Sequence, residues 1–279
     1  MSTTHILLID CTDEKGLVHR ITGVLFGSGL NIISNHEFVD RGSGHFFMRT
    51  EFAGEFSGRG VLDELRSRLP GDTRITLTEK RKKSIVIMVS REHHCLGDLI
   101  IRHEYNRLNA GIVSVISNHE FLRPLVEKFG IPYHHVSHEN RTREQHEAGI
   151  LAILKDYAFD YIVLAKYMRV FTADFVERFP DRIINIHHSF LPAFAGANPY
   201  RQAYDRGVKI IGATAHFVNG SLDEGPIIAQ SVIPVDHTHS TEDMMEAGKD
   251  VEKVVLARAL KLAFEDRVFV NGNKTIIFD

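Results

Sequence analysis

The chain has 279 residues, which is long for one hydrophobic core and suits a small domain joined to a medium one. Hydrophobic content of 43% and charged content of 25% are those of an ordinary globular protein, and a formal net charge of −3 offers no polycationic surface for a phosphate backbone, which argues against nucleic acid as a partner. Two cysteines, Cys11 and Cys95, argue against a disulfide framework and fit a reducing compartment. No apolar run approaches the roughly 18 residues of a membrane span, so no membrane contact is expected and the cytoplasm is the expected location.

The first elements read as a small α/β unit. Thr4 to Asp10 predicts a buried strand, Asp13 to Gly16 a helix start, and Leu17, Val18, Ile21, Val24 and Leu25 the apolar face of that helix. Gly27-Ser28-Gly29 stops it. Asn31 to Val39 and His45 to Phe52 are rich in β-branched and aromatic residues, and Asp40 to Gly44 joins them as a hairpin. Val61, Leu62, Leu65 and Leu69 mark a second helix, Pro70-Gly71 ends it, and Arg74 to Thr78 returns as a strand. The order βαββαβ is that of a ferredoxin-like unit.

Within it, Asp13-x-x-Gly16-Leu17-Val18, followed by Ile21, Leu25 and Gly29-Leu30-Asn31-Ile32, resembles the ACT domain. That resemblance implies an amino-acid effector held near Asp13, Gly16, Leu17 and Asn31, where backbone amides at a helix N-terminus can meet a carboxylate. A second reading gives Asp13 only a capping role and the domain only oligomer contacts. The charged run Glu79 to Ser84 reads as a solvated linker, so the domains are expected over 1–83 and 84–279. The hexapeptide Ile33 to Phe38 recurs at Ile116 to Phe121. One copy leads into a hairpin and the other toward a helix, so we read coincidence, not duplication.

From Ser84 onward, the short apolar runs Ser84 to Ser90, Ile112 to Ile116, Tyr133 to Val136, Tyr161 to Ala165 and Ile183 to Ile186 alternate with helical stretches. This is the rhythm of a mostly parallel, Rossmann-like sheet. Thr142-Arg143-Glu144-Gln145 fits a capping box. Val208 to Val218 and Ile227 to Val235 read as two strands with no helix between them, Ser240 to Glu265 as one long helix, and Arg267 to Val270 with Thr275 to Phe278 as a closing hairpin.

Chemistry concentrates in Ile184-Asn185-Ile186-His187-His188-Ser189 and Leu222-Asp223-Glu224-Gly225-Pro226. Asn185 and His187, two apart on an extended backbone, leave the same face of a strand. Asp223 lies in turn chemistry able to swing a carboxylate over a strand end. Such strand ends are where open α/β sheets bind ligands. Seventeen histidines also invite a metal reading. The adjacent pairs His93-His94 and His134-His135 would point to opposite faces if extended, and His237-x-His239 lacks an obvious third ligand, so no metal site is expected.

The run Asn185-Ile186-His187-x-Ser189-x-Leu191-Pro192, His216-Phe217-Val218, Asp223-x-Gly225-Pro226-Ile227-Ile228-x-Gln230 and Leu164 to Val170 together resemble the 10-formyltetrahydrofolate-dependent formyltransferase family. The resemblance spans most of residues 84–235. It implies Asn185, His187 and Asp223 as catalytic residues, Met168, Arg169, Val170, Val218, Asn219 and Gly220 on the folate side, and no cofactor beyond the folate substrate.

Departures from the pattern redirect the reaction. After the first strand of the second domain stands Arg91-Glu92-His93-His94-Cys95-Leu96-Gly97-Asp98, a poor phosphate cradle. The slightly acidic chain also offers no basic surface for a tRNA. With the ACT-like start, and His188 where transferases commonly have proline, the sequence is similar to the formyltetrahydrofolate deformylases. The acceptor this implies is water. Asn185 and His187 would then stabilise the developing oxyanion, while Asp223 orients the imidazole and accepts from the attacking water. Residue spacing gives His188 no role. Two other readings are a formyltransferase to a small amine and a non-catalytic amino-acid sensor. A homo-oligomer regulated by glycine or methionine is expected, because both connect to the one-carbon pool.

Overall fold

The computed structural model describes residues 3–193 and 198–279. Two compact units are present, one of Met1–Arg81 with Glu265–Phe269 and Ile276–Asp279, the other of Lys82–Phe264 with Val270–Thr275.

The first unit has the expected βαββαβ order: β1 (Thr4–Thr12), α1 (Leu17–Gly27), β2 (Asn31–Asp40), β3 (His45–Ala53), α2 (Gly58–Arg68) and β4 (Arg74–Glu79). Its antiparallel sheet runs β2-β3-β1-β4. Leu17, Ile21, Val24 and Leu25 of α1 and Val61 and Leu65 of α2 pack on Leu7, Ile9, Met48 and Phe52 of the sheet. The spacing that predicted the helices thus also defines their buried faces, except that Val18 is exposed. The start of α1 differs from expectation. Gly16 occupies the cap position in the left-handed region (φ 90°) with no side-chain cap. Asp13 instead gives its amide to the Gly44 carbonyl at 2.8 Å, which ties the β1–α1 loop to the hairpin tip.

The closing segment also differs. The sequence reading placed all of it in the second domain, whereas its two ends belong to the first compact unit. Phe47 lies edge-on to Phe269 at 5.6 Å, and Phe269 to Phe278 at 5.7 Å. Arg49, only 1% exposed, donates from Nε to the Asp266 carbonyl at 3.0 Å and from Nη2 to the Glu265 carbonyl at 2.9 Å. A buried guanidinium needs such acceptors, and nothing in local periodicity announces them.

The second unit contains β5 (Lys83–Val89), α3 (His94–Glu104), β6 (Ala110–Ser117), α4 (Arg123–Glu127), β7 (Tyr133–His135), α5 (Arg143–Leu154), β8 (Tyr161–Leu164), α6 (Ala173–Val176), β9 (Ile183–His187), α7 (Pro199–Arg206), β10 (Ile210–Phe217), β11 (Ile227–Pro234) and α8 (Thr241–Phe264). A closing hairpin of β12 (Val268–Asn271) and β13 (Lys274–Ile277) follows. The seven-stranded sheet runs β11-β10-β9-β8-β5-β6-β7. Strands β5 to β9 are parallel to one another, while β10 is antiparallel to both β9 and β11. The order reverses between β5 and β8, the kind of crevice in which such sheets bind ligands. The capping box of α5 is complete: Thr142 Oγ1 accepts from the Gln145 amide at 3.2 Å, and Gln145 Oε1 from the Thr142 amide at 3.0 Å. Helix α7 was not expected, since only Pro199, Tyr200 and Ala203 give its short sequence a buried face.

Candidate active site

A cavity of about 330 Å³ lies where β8 and β9 end. It gathers Asn185, His187 and Asp223 together with Met168, Arg169, Val170, Val218, Asn219 and Gly220, so every expected catalytic and folate-side residue lines one space. Lys166 and His188 line it too.

The alternation of β9 presents Asn185 and His187 to this cavity, and the β10–β11 loop brings the third partner. Asp223 has a positive φ (58°), tolerable for an aspartate, and sets Oδ1 3.3 Å from His187 Nδ1. Two residues on, Gly225 passes so close to β10 that a Cβ there would lie 1.7 Å from the Phe217 carbonyl oxygen. Only glycine permits that return. Burial alone would raise the Asp223 carboxyl's pKa, but the hydrogen bond and charge of His187, with His216 and His188, outweigh it and hold the group below its usual value. Asp223 is therefore ionised, and the imidazole proton on Nδ1 faces it. His187 Nε2 is buried and has no hydrogen-bond partner among the described residues.

His216 settles the orientation of Asn185. Its Nδ1 lies 2.8 Å from the Phe217 carbonyl, which can only accept, so Nδ1 carries the proton. Burial lowers its pKa, the ring is neutral, and Nε2 accepts from Asn185 Nδ2 at 3.2 Å. The second N–H of that amide remains for a ligand. From sequence, His216 reads either as a satisfied core histidine or as a partner supporting a site residue, and spacing along one strand cannot choose between them; the contact across β9 and β10 does.

Beneath the apolar side of the cavity, polar anchors fix the loop after β8. Ser90 Oγ accepts from the Met168 amide at 2.9 Å and donates to Asn118 Oδ1 at 2.9 Å. Tyr167 donates to His146 Nε2 at 2.7 Å, the other ring nitrogen of His146 facing the Ser137 carbonyl. Glu147 accepts from the amide and hydroxyl of Thr172 at 2.6 and 2.5 Å. Phe171 stacks between Tyr167 and Phe175 at 5.4 and 4.2 Å. Met168, 58% exposed, and Val170 therefore present apolar surface from a held backbone. A second clamp seats the turn after β9. Thr214 Oγ1 donates to the Ser189 carbonyl and accepts from the Leu191 amide and from Gln230 Nε2. Gln230 is thus a supporting residue, a role its motif position did not disclose.

The residues expected to hold an effector differ in exposure. Leu17 is buried in the first unit's core, while Asp13, Gly16 and Asn31 are exposed. A cavity of that unit lies elsewhere, beside His5, Phe56 and Thr78. His94, Cys95 and Glu252 bring ligand atoms within 4.8 Å of one another, a grouping the sequence did not suggest. Its carboxylate already serves three donors: His94 Nε2 at 2.7 Å, Tyr200 Oη at 2.9 Å and Lys166 Nζ at 3.4 Å.

Comparison with known proteins accords with this geometry. Residues 83–260 match the formyl transferase family model and residues 5–69 the ACT domain model. A formyltetrahydrofolate deformylase of Haemophilus influenzae is 56% identical over 272 residues, 98% of each chain. The crystal structure of a formyltetrahydrofolate deformylase from Pseudomonas syringae pv. tomato superposes with a TM-score of 0.95 at 40% identity, covering 100% of this chain and 95% of that one. A glycinamide ribonucleotide transformylase from Symbiobacterium toebii matches with a TM-score of 0.68 at 31% identity, over 71% of this chain and 94% of its own. An ACT domain followed by a formyl transferase domain, similar over nearly its whole length to deformylases and over only part of it to a transformylase, places this chain in the formyltetrahydrofolate deformylase family.

Proposed function

We propose that this protein hydrolyses 10-formyltetrahydrofolate to formate and tetrahydrofolate. The observation that carries the reading is the convergence of Asn185, His187 and Asp223 in one cavity whose other wall is the anchored apolar loop Met168 to Val170. That wall suits a flat heteroaromatic ring, and the polar trio suits the formyl group attached to it.

The scissile bond is an amide. The formyl oxygen takes the free N–H of Asn185, and the charge developing there is stabilised by that donor; losing such a donor costs ~3 kcal/mol of transition-state stabilisation. His187, with Nδ1–H held by Asp223, offers the lone pair of Nε2. It removes a proton from water as the new O–C bond forms, and delivers that proton to N10 as the C–N bond breaks. Asp223 keeps the tautomer and stabilises the imidazolium between the two transfers.

The ACT unit binds a small amino acid, glycine or methionine being the first to test, and the protein works as a homo-oligomer in the cytoplasm. Buried unpaired Cys11 and Cys95 suit a reducing compartment. Purified protein given 10-formyltetrahydrofolate and no amine should release formate and tetrahydrofolate catalytically. Release only when an amine is added would make it a transferase instead.

A further inference from the structure

Hydrolysis requires a place for water, and the trio alone does not define one. Beside the trio, Lys166 and His188 also line the cavity. Lys166 leaves β8 with a left-handed backbone (φ 64°), unusual for lysine and costing ~1 kcal/mol or more. Its side chain is 8% exposed and turns to Glu252, itself 1% exposed on α8. Burial would raise the Glu252 carboxyl's pKa, but the bond from His94 and the charge of Lys166, with Tyr200, hold it down at about 2. A loop and the helices α3, α7 and α8 thus meet at one ionised carboxylate. Gly248 makes room, since a Cβ there would lie 2.0 Å from Tyr200 Oη.

His188 stands beside this network, its ring 5.2 Å from that of His187 and 6.1 Å from that of Tyr200. Neither of its ring nitrogens has a hydrogen-bond partner among the described residues. Burial, then the charges of Lys166 and His187, push its pKa down to about 4, so the ring is neutral and one nitrogen carries a lone pair.

We infer that His188 holds the attacking water, its bare ring nitrogen accepting one O–H, while Lys166 and the buried partners of Glu252 fill the volume an amine acceptor would need. The inference rests on the hydrolase reading. The water's other O–H faces His187 Nε2, which takes that proton; the oxygen bonds to the formyl carbon, the C–N10 bond breaks, and the proton passes to N10. His188 exchanges no proton in the cycle. It orients the nucleophile and is selective for one small enough to fit.

The test uses the full chain with His188→Leu and His188→Gln, supplied with 10-formyltetrahydrofolate with and without hydroxylamine. Formate and formylhydroxamate are measured, and tetrahydrofolate binding and the thermal midpoint report on folding. The unsubstituted protein should form formate even with hydroxylamine present. His188→Leu should bind tetrahydrofolate normally, lose hydrolysis on the order of a hundredfold, and form more hydroxamate than formate. His188→Gln, which restores an acceptor, should recover most of the hydrolysis. Parent-like hydrolysis and product ratio in His188→Leu would overturn the water site alone, as would a loss confined to tetrahydrofolate binding. Absence of formate from the unsubstituted protein would instead overturn the hydrolase reading.

Discussion

At the residue scale, the site is a division of labour among groups whose protonation is set by their neighbours. His216 is neutral and accepts from Asn185; Asp223 is ionised and holds His187; both states follow from burial and from which atoms face which. Replacing His187 by alanine should lower turnover by roughly two to four orders of magnitude while tetrahydrofolate still binds, because only the proton shuttle is lost. Asp223→Asn keeps the shape but removes the charge that stabilises the imidazolium, and should also slow turnover strongly. Steady-state rates beside equilibrium binding check both. Rates within a factor of about two of the parent would remove these residues from the reaction. That Asn185, His187 and Asp223 could converge was legible in the sequence because strand alternation and a Gly-Pro turn are local signals, while the role expected of them came from the family resemblance. Ser90, Gln230 and Glu252 were not, and His216 only as one of two readings, since each acts through a partner far away along the chain.

At the element scale, two loops on rigid strands make the cavity, and each depends on a close fit. Gly225→Ala would drive a methyl group into the Phe217 carbonyl and displace the turn that carries Asp223. A displacement near 1 Å costs about a hundredfold in rate. Turnover should fall about that far while the β5 to β9 core keeps its circular dichroism; an unaltered rate would show that the return of the β10–β11 loop does not position the carboxylate. Helices with a strong apolar period, such as α1, α2 and α8, were readable, as was the capping box of α5. The start of α1 was not, because Asp13 has capping chemistry but spends its amide on Gly44. Nor was α7, which is polar on most of its surface and is recruited by Tyr200 reaching Glu252.

For the whole molecule, the order of elements followed from periodicity, while the membership of the C-terminal residues did not. Arg49 looks like a surface residue in a strand and is instead a buried donor to the Glu265 and Asp266 carbonyls. Stability against pH is likewise a property of the whole. Burial lowers the pKa of His146, His188 and His216, so below the usual value of 6.5 the unfolded chain takes up protons that the folded chain does not. Stability should therefore fall as pH drops from about 6.5 toward about 4, and Glu252 extends the loss from 4.5 toward about 2. The thermal midpoint should be lower at pH 5 than at pH 8; an equal or higher midpoint at pH 5 would contradict these protonation states.

The central claim is that water is the formyl acceptor in the cavity of Asn185, His187 and Asp223. It is tested most directly by a single turnover of 10-formyltetrahydrofolate in oxygen-18 water without added amine. The formate released should carry one labelled oxygen, from the nucleophile, and one unlabelled oxygen, from the formyl group. Unlabelled formate, or no formate until an amine is supplied, would contradict it.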